Sequence, residues 1–299
     1  MMIGRMIRQF VMKPYELYQA RQIDTEPINT VGIILGPYRN LTTLTASILM
    51  LHPNCQVLNH AGMRSLQWRS LNFMRKPTRK TFERFVRWAI YISGKGIRGN
   101  FGGSITYSHA FQHSEMNNLY KKRFGDNLIK DKVNSLVWKE SLRIANFLRN
   151  NNIEVAQLLD KFPELRFLQP VRNPIDCAKS CIKTEKNRLL PGLDKNSGEE
   201  ETISAILDEY KWFLEIRERR PEKYFYFMQY DFDREMLINL TNFLDLEIDE
   251  IWIQDALNIY EMRSSYKYSA KILDHYKKEV KVKFQEYPQF AEELLKFVN

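Results

Sequence analysis

The chain has 299 residues, 44% hydrophobic and 27% charged, enough to bury a sizeable core as one large α/β domain or two small ones. No apolar run approaches the roughly 18 residues of a membrane span. Three cysteines, Cys55, Cys177 and Cys181, make no disulfide framework and point to a reducing cytoplasm. The formal charge of +9 is unevenly spread: Arg64 to Arg98 holds ten basic residues and a single acid, Glu83. Such a field attracts an anion (nucleic acid, an acidic glycan or a lipid headgroup), although a solvated helix face reads the same way.

In chain order, Met1 to Gln19 mixes Arg5, Arg8 and Lys13 with short apolar pieces and lacks the apolar core of a signal peptide. Its apolar residues suit one packed helix face or a membrane surface. Residues 30–35, rich in β-branched side chains, predict a strand buried on both faces. Gly36-Pro37-Tyr38-Arg39-Asn40 punctuates a loop, and a helix from Thr42 to Leu51 stops at His52-Pro53. A short strand is expected at 56–58. Residues 66–92 predict a helix with one basic face, Trp68, Phe73, Phe82, Phe85 and Trp88 lying on the other side. Five glycines between 93 and 114, with His109 and His113, suggest a loop or lid.

Further strands are expected at 135–138, 165–171 and 224–229, with Pro170 near a strand end because proline cannot donate to a ladder. Helices are expected at 140–150, 153–160, 202–219 and 234–244, and the C-terminal portion is helical. Asn173-Pro174 opens another helix, Asn as N-cap and Pro at the first turn. Cys177 and Cys181, four apart on it, share a face and suit core packing. The order predicts an α/β fold, a mostly parallel central sheet flanked by helices. As one domain spanning 1–299, it has a core at 30–245, an N-terminal helical extension at 1–29, a basic, Gly-rich insertion at 64–114 and a helical segment at 246–299.

Two patterns carry chemistry. After the first strand, a tight loop meets a helix N-terminus, an arrangement that binds anions through convergent backbone N–H groups. A nucleoside triphosphatase loop needs Gly-x-x-x-x-Gly-Lys-Ser/Thr. From Gly36, Leu41 takes the second glycine's place and Thr42 the lysine's. The loop offers Arg39 and two hydroxyls instead, which suits a less charged phosphate or sulfate without magnesium. In the second pattern, Arg172 ends a strand, a capped helix follows, and Ser180 sits eight residues on. An arginine at a strand's carboxyl end faces the ligand crevice and can clamp a phosphate. Taken singly, the first is also an ordinary βα turn, and Arg172 could simply pair with Asp176.

Together they resemble the sulfotransferase superfamily that uses 3′-phosphoadenosine-5′-phosphosulfate (PAPS). Arg39-Asn40-Leu41-Thr42-Thr43-Leu44 resembles its 5′-phosphosulfate loop, departing at Leu41 where the family usually has glycine. Arg172 through Ser180 resembles its 3′-phosphate motif with the spacing intact, and Tyr230-Asp231-Phe232 with Phe243-Leu244 resembles its closing strand–helix unit. The resemblance spans residues 30–245. It implies sulfuryl transfer from PAPS to a hydroxyl or amine acceptor, 3′-phosphoadenosine-5′-phosphate (PAP) as product, and no metal. Arg39, Asn40, Leu41, Thr42, Thr43 and Leu44 would hold the 5′ side, Arg172 and Ser180 the 3′-phosphate, and Lys139 the sulfate. His60, after the second strand, and Glu140, beside Lys139, are the candidate bases, with His109 and His113 behind them. The basic, aromatic segment 64–98 and the Tyr- and Lys-rich segment Arg263 to Lys278 suit an acidic glycan or a lipid headgroup as acceptor, with 64–98 as a peripheral membrane contact, and a small neutral acceptor stays open. A nucleotide-binding member without turnover, a P-loop kinase and a basic nucleic-acid module are the alternatives; the last leaves the Arg172–Ser180 unit without a purpose.

Overall fold

The computed structural model describes residues 13–95, 102–260 and 266–298. Six strands, β1 (Thr30–Ile34), β2 (Cys55–Asn59), β3 (Gly103–Ser104), β4 (Ser135–Lys139), β5 (Leu165–Val171) and β6 (Tyr224–Met228), form one sheet ordered β3-β2-β4-β1-β5-β6. Every pairing is parallel except β2 with β3. The central strands are near-continuous apolar runs because helices cover both faces. The chain leaves β1 for β2 on one side and later passes from β4 across β1 to β5. The winding therefore reverses at the carboxyl end of β1, where open α/β sheets hold their ligands.

The described helices are α1 (Lys13–Ala20), α2 (Thr42–Met50), α3 (Gly62–Ser65), α4 (Arg79–Ser93), α5 (Ser114–Phe124), α6 (Leu142–Asn150), α7 (Val155–Lys161), α8 (Pro174–Lys183), α9 (Glu199–Arg217), α10 (Arg234–Phe243), α11 (Glu250–Ile259), α12 (Ala270–Lys283) and α13 (Pro288–Leu295). Helices α1 and α4 pack on one face of the sheet, and α2, α10 and α11 on the other. A third cluster joins α8 and α9 to the C-terminal helices through Ile203, Tyr210, Tyr276, Val280, Phe284 and Phe290. Cys177 and Cys181 are buried within it, as packing residues.

The basic segment differs from its expected form. Its helix begins at Arg79, not near 66, because Thr78 and Thr81 form a reciprocal capping box there. Residues ahead of it are turns, with Asn72 accepting from the Arg75 N–H and donating to the Leu66 carbonyl. The five aromatic residues are buried as expected. The Gly-rich stretch contains β3 and two 3-10 turns, its residues 96–101 lie outside the described residues, and α5 follows it. Of the N-terminal segment, residues 1–12 also lie outside, while α1 buries Glu16 and Ala20. Arg263, in the basic C-terminal stretch, lies outside too.

Arg64 is no part of the basic surface. It is buried, its Nη1 2.6 Å from Glu16 Oε1, and its guanidinium lies over the Trp88 ring. Glu16 Oε2 accepts from Trp88 Nε1 at 3.0 Å, so this carboxylate fastens α1 to α4. Removing one partner of a buried pair leaves the other charge uncompensated. Glu16→Ala is expected to lower unfolding stability by about 3–5 kcal/mol, read as a shift in denaturant midpoint at unchanged slope.

Pro170 lies inside β5, one residue from its end, paired with Phe227 of β6. The Leu168 carbonyl accepts from Leu35 beyond β1, and Pro170 points to the same side two residues on, where β1 has already ended. No ladder donor is lost there, and the Pro170 carbonyl is taken by the Asn40 side chain. At the far end of α2, Lys130 is buried and its Nζ donates to the carbonyls of Met50 and His52, each at 2.6 Å, and of Cys55. Burial pushes its pKa down to about 7.

Candidate anion-binding site

The turn between β1 and α2 is built on left-handed backbone. Gly36 (φ 99°), Arg39 (φ 67°) and Leu41 (φ 59°) all have positive φ. A Cβ on Gly36 would sit 3.0 Å from Asn40 Nδ2 and 3.3 Å from the Gln169 side chain, so glycine is needed there for space as well as conformation. Asn40 rivets the turn to β5. Its Nδ2 donates to the Pro170 carbonyl, and its Oδ1 accepts from the Arg172 N–H (2.8 Å) and from Tyr210 Oη (2.7 Å). Leu41 is the N-cap residue of α2 and provides no side-chain cap. The first backbone N–H groups of α2, at Thr42, Thr43 and Leu44, therefore stay open toward the loop. Thr42 is buried and Thr43 half-buried, while the Leu44 side chain packs into the core, leaving only its N–H to serve a ligand.

Leu41 thus keeps the backbone shape that glycine would favour, and it does so under strain. A side chain in this region costs about 1–2 kcal/mol, offset in part by the larger entropy glycine loses on folding. Leu41→Gly is expected to raise stability by about 1 kcal/mol, seen as an upward shift of roughly 2 °C in thermal midpoint.

The two sequence patterns meet in space. Arg39 Nε donates to Ser180 Oγ at 2.9 Å, joining the loop to α8 across 141 residues. Arg172 Nη1 donates to the Arg39 carbonyl at 3.2 Å, its Nη2 lies 3.8 Å from Asp176 Oδ2, and its buried Nε has no hydrogen-bond partner among the described residues. The expected Asp176 contact is therefore present, but long. Asn173 caps α8 by accepting from the Ile175 N–H at 3.0 Å. Arg39, which the sequence places on the 5′ side, is exposed and turned toward Ser180. Gln169, 1% exposed, lies against Gly36 with neither amide atom partnered among the described residues. A bound group or water beneath the loop would satisfy it.

Across the sheet, β4 ends on Lys139, in register with Ile34 of β1 and Asn59 of β2 and nearly buried. Burial pushes its pKa down, with Glu140 opposing and Arg39 and Arg143 adding to the shift. Glu140 is not a first-turn acid of α6; it is fully buried ahead of that helix. Its Oε2 accepts from the Gly62 N–H at 2.7 Å, and its Oε1 lies 2.9 Å from Arg143 Nη1. A Cβ on Gly62 would come within 2.7 Å of this carboxyl group. Burial raises the Glu140 pKa, and Arg143 and the Gly62 N–H counter it.

His60 adopts φ 61° between β2 and α3 and is half-buried. Its N–H donates to the Lys139 carbonyl at 2.9 Å, and its own carbonyl accepts from Trp138 Nε1. Its imidazole pKa is pushed down to about 3 by burial, then by Lys139, Arg143 and Lys186. Five of the eight non-glycine residues with positive φ among those described (Arg39, Leu41, His60, Ala61 and Ser141) lie just past β1, β2 and β4. Strain of this kind collects where a fold holds functional groups in set positions. His113 is exposed at the head of α5, His109 sits in a 3-10 turn, and neither enters the contacts above. Tyr210, Gln169, Arg143 and Lys186 join the site without a local sequence signal.

No family model matches the chain, and no curated protein does. Among solved structures, it is similar to a mouse sulfotransferase complexed with PAP, at 9% identity over 95% of this chain and 93% of that one, TM-score 0.46. It is also similar to a Mycobacterium avium sulfotransferase (14%, 95% and 81%, 0.43) and an Alicyclobacillus acidocaldarius sulfotransferase (12%, 90% and 97%, 0.44). All three are sulfotransferases. No described helix is long and apolar enough to cross a membrane.

Proposed function

We propose that the chain binds PAPS and transfers its sulfuryl group to a hydroxyl or amine acceptor. The observation that supports this best is the meeting of Arg39 with Ser180 at 2.9 Å, with Arg172 bonded to the same loop. In support, the contact brings the α2 N-terminus, which would take a 5′-phosphosulfate, beside a guanidinium and hydroxyl that would take a 3′-phosphate, a pairing that ATP would not use. A kinase would need a lysine where Thr42 stands.

In this reading the α2 N-terminus, with Thr42 and Thr43, holds the 5′-phosphate, and Arg172 with Ser180 holds the 3′-phosphate. The acceptor oxygen or nitrogen bonds to sulfur as the bond from sulfur to the 5′-phosphate oxygen breaks, and PAP departs with that electron pair. Lys139 balances the charge gathering on the departing phosphate, and Arg39 joins it by turning away from Ser180 as that hydroxyl passes to the 3′-phosphate. His60, half-buried at the end of β2, takes the acceptor proton as a weak base, since burial and the positive charge of Lys139, Arg143 and Lys186 lower its basicity, and passes the proton on to solvent. Glu140 fixes the turn that carries His60 through the Gly62 N–H and so acts as a positioning residue.

A thermal-shift titration with PAP, beside ADP and magnesium-ATP, tests the reading. At about a hundredfold excess over Kd, a ligand adds roughly 2.7 kcal/mol, a shift of several degrees. A shift specific to PAP is the expected result. A shift with magnesium-ATP alone, or none, overturns it.

A further inference from the structure

Outside the site, the basic layer is sorted in an unexpected way. Arg64 is interior and Arg79 bonds Glu83 and Glu164. The remaining described cations between 69 and 87, namely Arg69, Arg75, Lys76, Lys80, Arg84 and Arg87, have no carboxylate partner among the described residues. They gather around two clefts. Lys80, Arg84 and Arg87, spaced three and four apart along α4, join Arg21 around a cleft of about 330 Å³ also lined by Leu17 and Ala20 of α1. Its one acid, Glu83, is already engaged by Arg79 at 3.0 Å. Arg69, Arg75 and Lys76 line a second cleft of about 640 Å³ with Leu66. Like charges brought together with no counter-charge repel one another and are stabilised by an external anion.

The chemistry beside these cations selects the partner. Helix α1 buries Glu16 and Ala20 but leaves Tyr15 54% and Tyr18 60% exposed, aromatic side chains of the kind that settle at headgroup level. In the sequence ahead of it, Ile3, Met6, Ile7, Phe10 and Val11 recur at the i, i+3, i+4, i+7, i+8 spacing with Arg5 and Arg8 between them, a pattern that suits a membrane surface as well as a packed helix face. We propose that the α1–α4 face, through Arg21, Lys80, Arg84 and Arg87 with the exposed tyrosines, docks on an anionic lipid surface. The clefts take lipid phosphates, and the tyrosines sit at the headgroup boundary. The docking itself does not depend on the sulfuryl-transfer reading.

The test is co-sedimentation of the full chain with phosphatidylcholine vesicles, with and without phosphatidylserine, at low and at physiological salt. The chain is expected to bind only the anionic vesicles, more weakly as salt rises. The Arg84→Gln, Arg87→Gln double variant should lose about fivefold in partitioning per charge removed. These two arginines have no ion-pair partner among the described residues, so the variant should lose no thermal stability. Absence of binding to anionic vesicles at low salt overturns the proposal. Equal binding by the double variant overturns the assignment to this face. Retention on heparin oligosaccharides without vesicle binding replaces the lipid with an acidic glycan. The PAP thermal shift of the double variant should match wild type, so failure of the docking and failure of the donor-site reading are separable.

Discussion

Arg172→Ala is expected to weaken PAP binding by at least about a hundredfold and to erase the preference for PAP over ADP. The Arg172 guanidinium leaves β5 at the point where the winding reverses, tied to the loop by its bond to the Arg39 carbonyl. Its Nε is buried without a partner among the described residues, a donor already desolvated. Hydrogen bonds to charged groups contribute about 1.5–3 kcal/mol each, and a guanidinium supplies two in parallel to a phosphate. Losing both gives a factor of roughly 10² to 10⁴. ADP lacks the 3′-phosphate, so its affinity should barely move. Calorimetric titration of both nucleotides reads the ratio directly, and a ratio unchanged in the variant sinks the 3′-phosphate assignment. Arg172→Lys, which keeps the charge but not the fork, should fall between the two. Ser180→Ala should cost about tenfold, since it removes a single neutral hydroxyl.

The second large effect concerns the proton. His60→Ala should reduce kcat by about 10²- to 10⁴-fold with PAP affinity intact. Glu140→Gln should lower kcat less, because glutamine can still accept from the Gly62 N–H. Full activity in His60→Ala together with a collapse of kcat in Glu140→Gln would make Glu140 the base. The pH profile supplies an independent reading. The His60 pKa is depressed, so its charged form is disfavoured in the fold and the imidazole is neutral well below its ordinary value near 6.5. The acid limb of kcat/KM should therefore lie below pH 6.5. Lys139 is depressed as well, so its charge is lost as pH rises through a value below the ordinary lysine range, and the alkaline limb should begin early. Linkage gives the same sign for stability at His60. The unfolded chain binds the proton first on acidification, so the stabilisation is present above about pH 6.5 and drains away toward about pH 3.

The parts of this fold legible in the sequence are those written in consecutive residues. The β5 strand and the Asn173-Pro174 start of α8 lie where the sequence puts them, since a buried run and an N-cap are local signals. The basic helix was misplaced by its aromatic residues: Trp68 and Phe73 are buried from turns, so burial without period looked like a helix face. Helix α5 does carry a short stripe, Met116, Leu119, Tyr120 and Phe124 at i, i+3, i+4 and i+8, which packs into the core but is only two turns long and follows directly on the Gly-rich stretch. The site divides in the same way. Its two motifs could be seen, but not the direct Arg39–Ser180 contact, nor Tyr210 reaching Asn40 from 170 residues away. Bonds of that span have no period and no spacing rule. Leu41 shows the converse: the residue departs from the expected glycine, yet the backbone at φ 59° does not.

Lys130 makes a built-in reporter of opening. Its amine is held inside by three carbonyls at the end of α2, and burial lowers its pKa to about 7. While the junction of α2 and β2 is closed the amine is shielded from reagent, and once it opens Lys130 regains the reactivity of an ordinary surface lysine. An acylating reagent would meet surface lysines at once but would reach Lys130 only when the junction of α2 and β2 comes apart. The labelling rate at this one position should therefore follow the opening of the element that carries the anion loop, and any ligand bound at the other end of α2 should slow it.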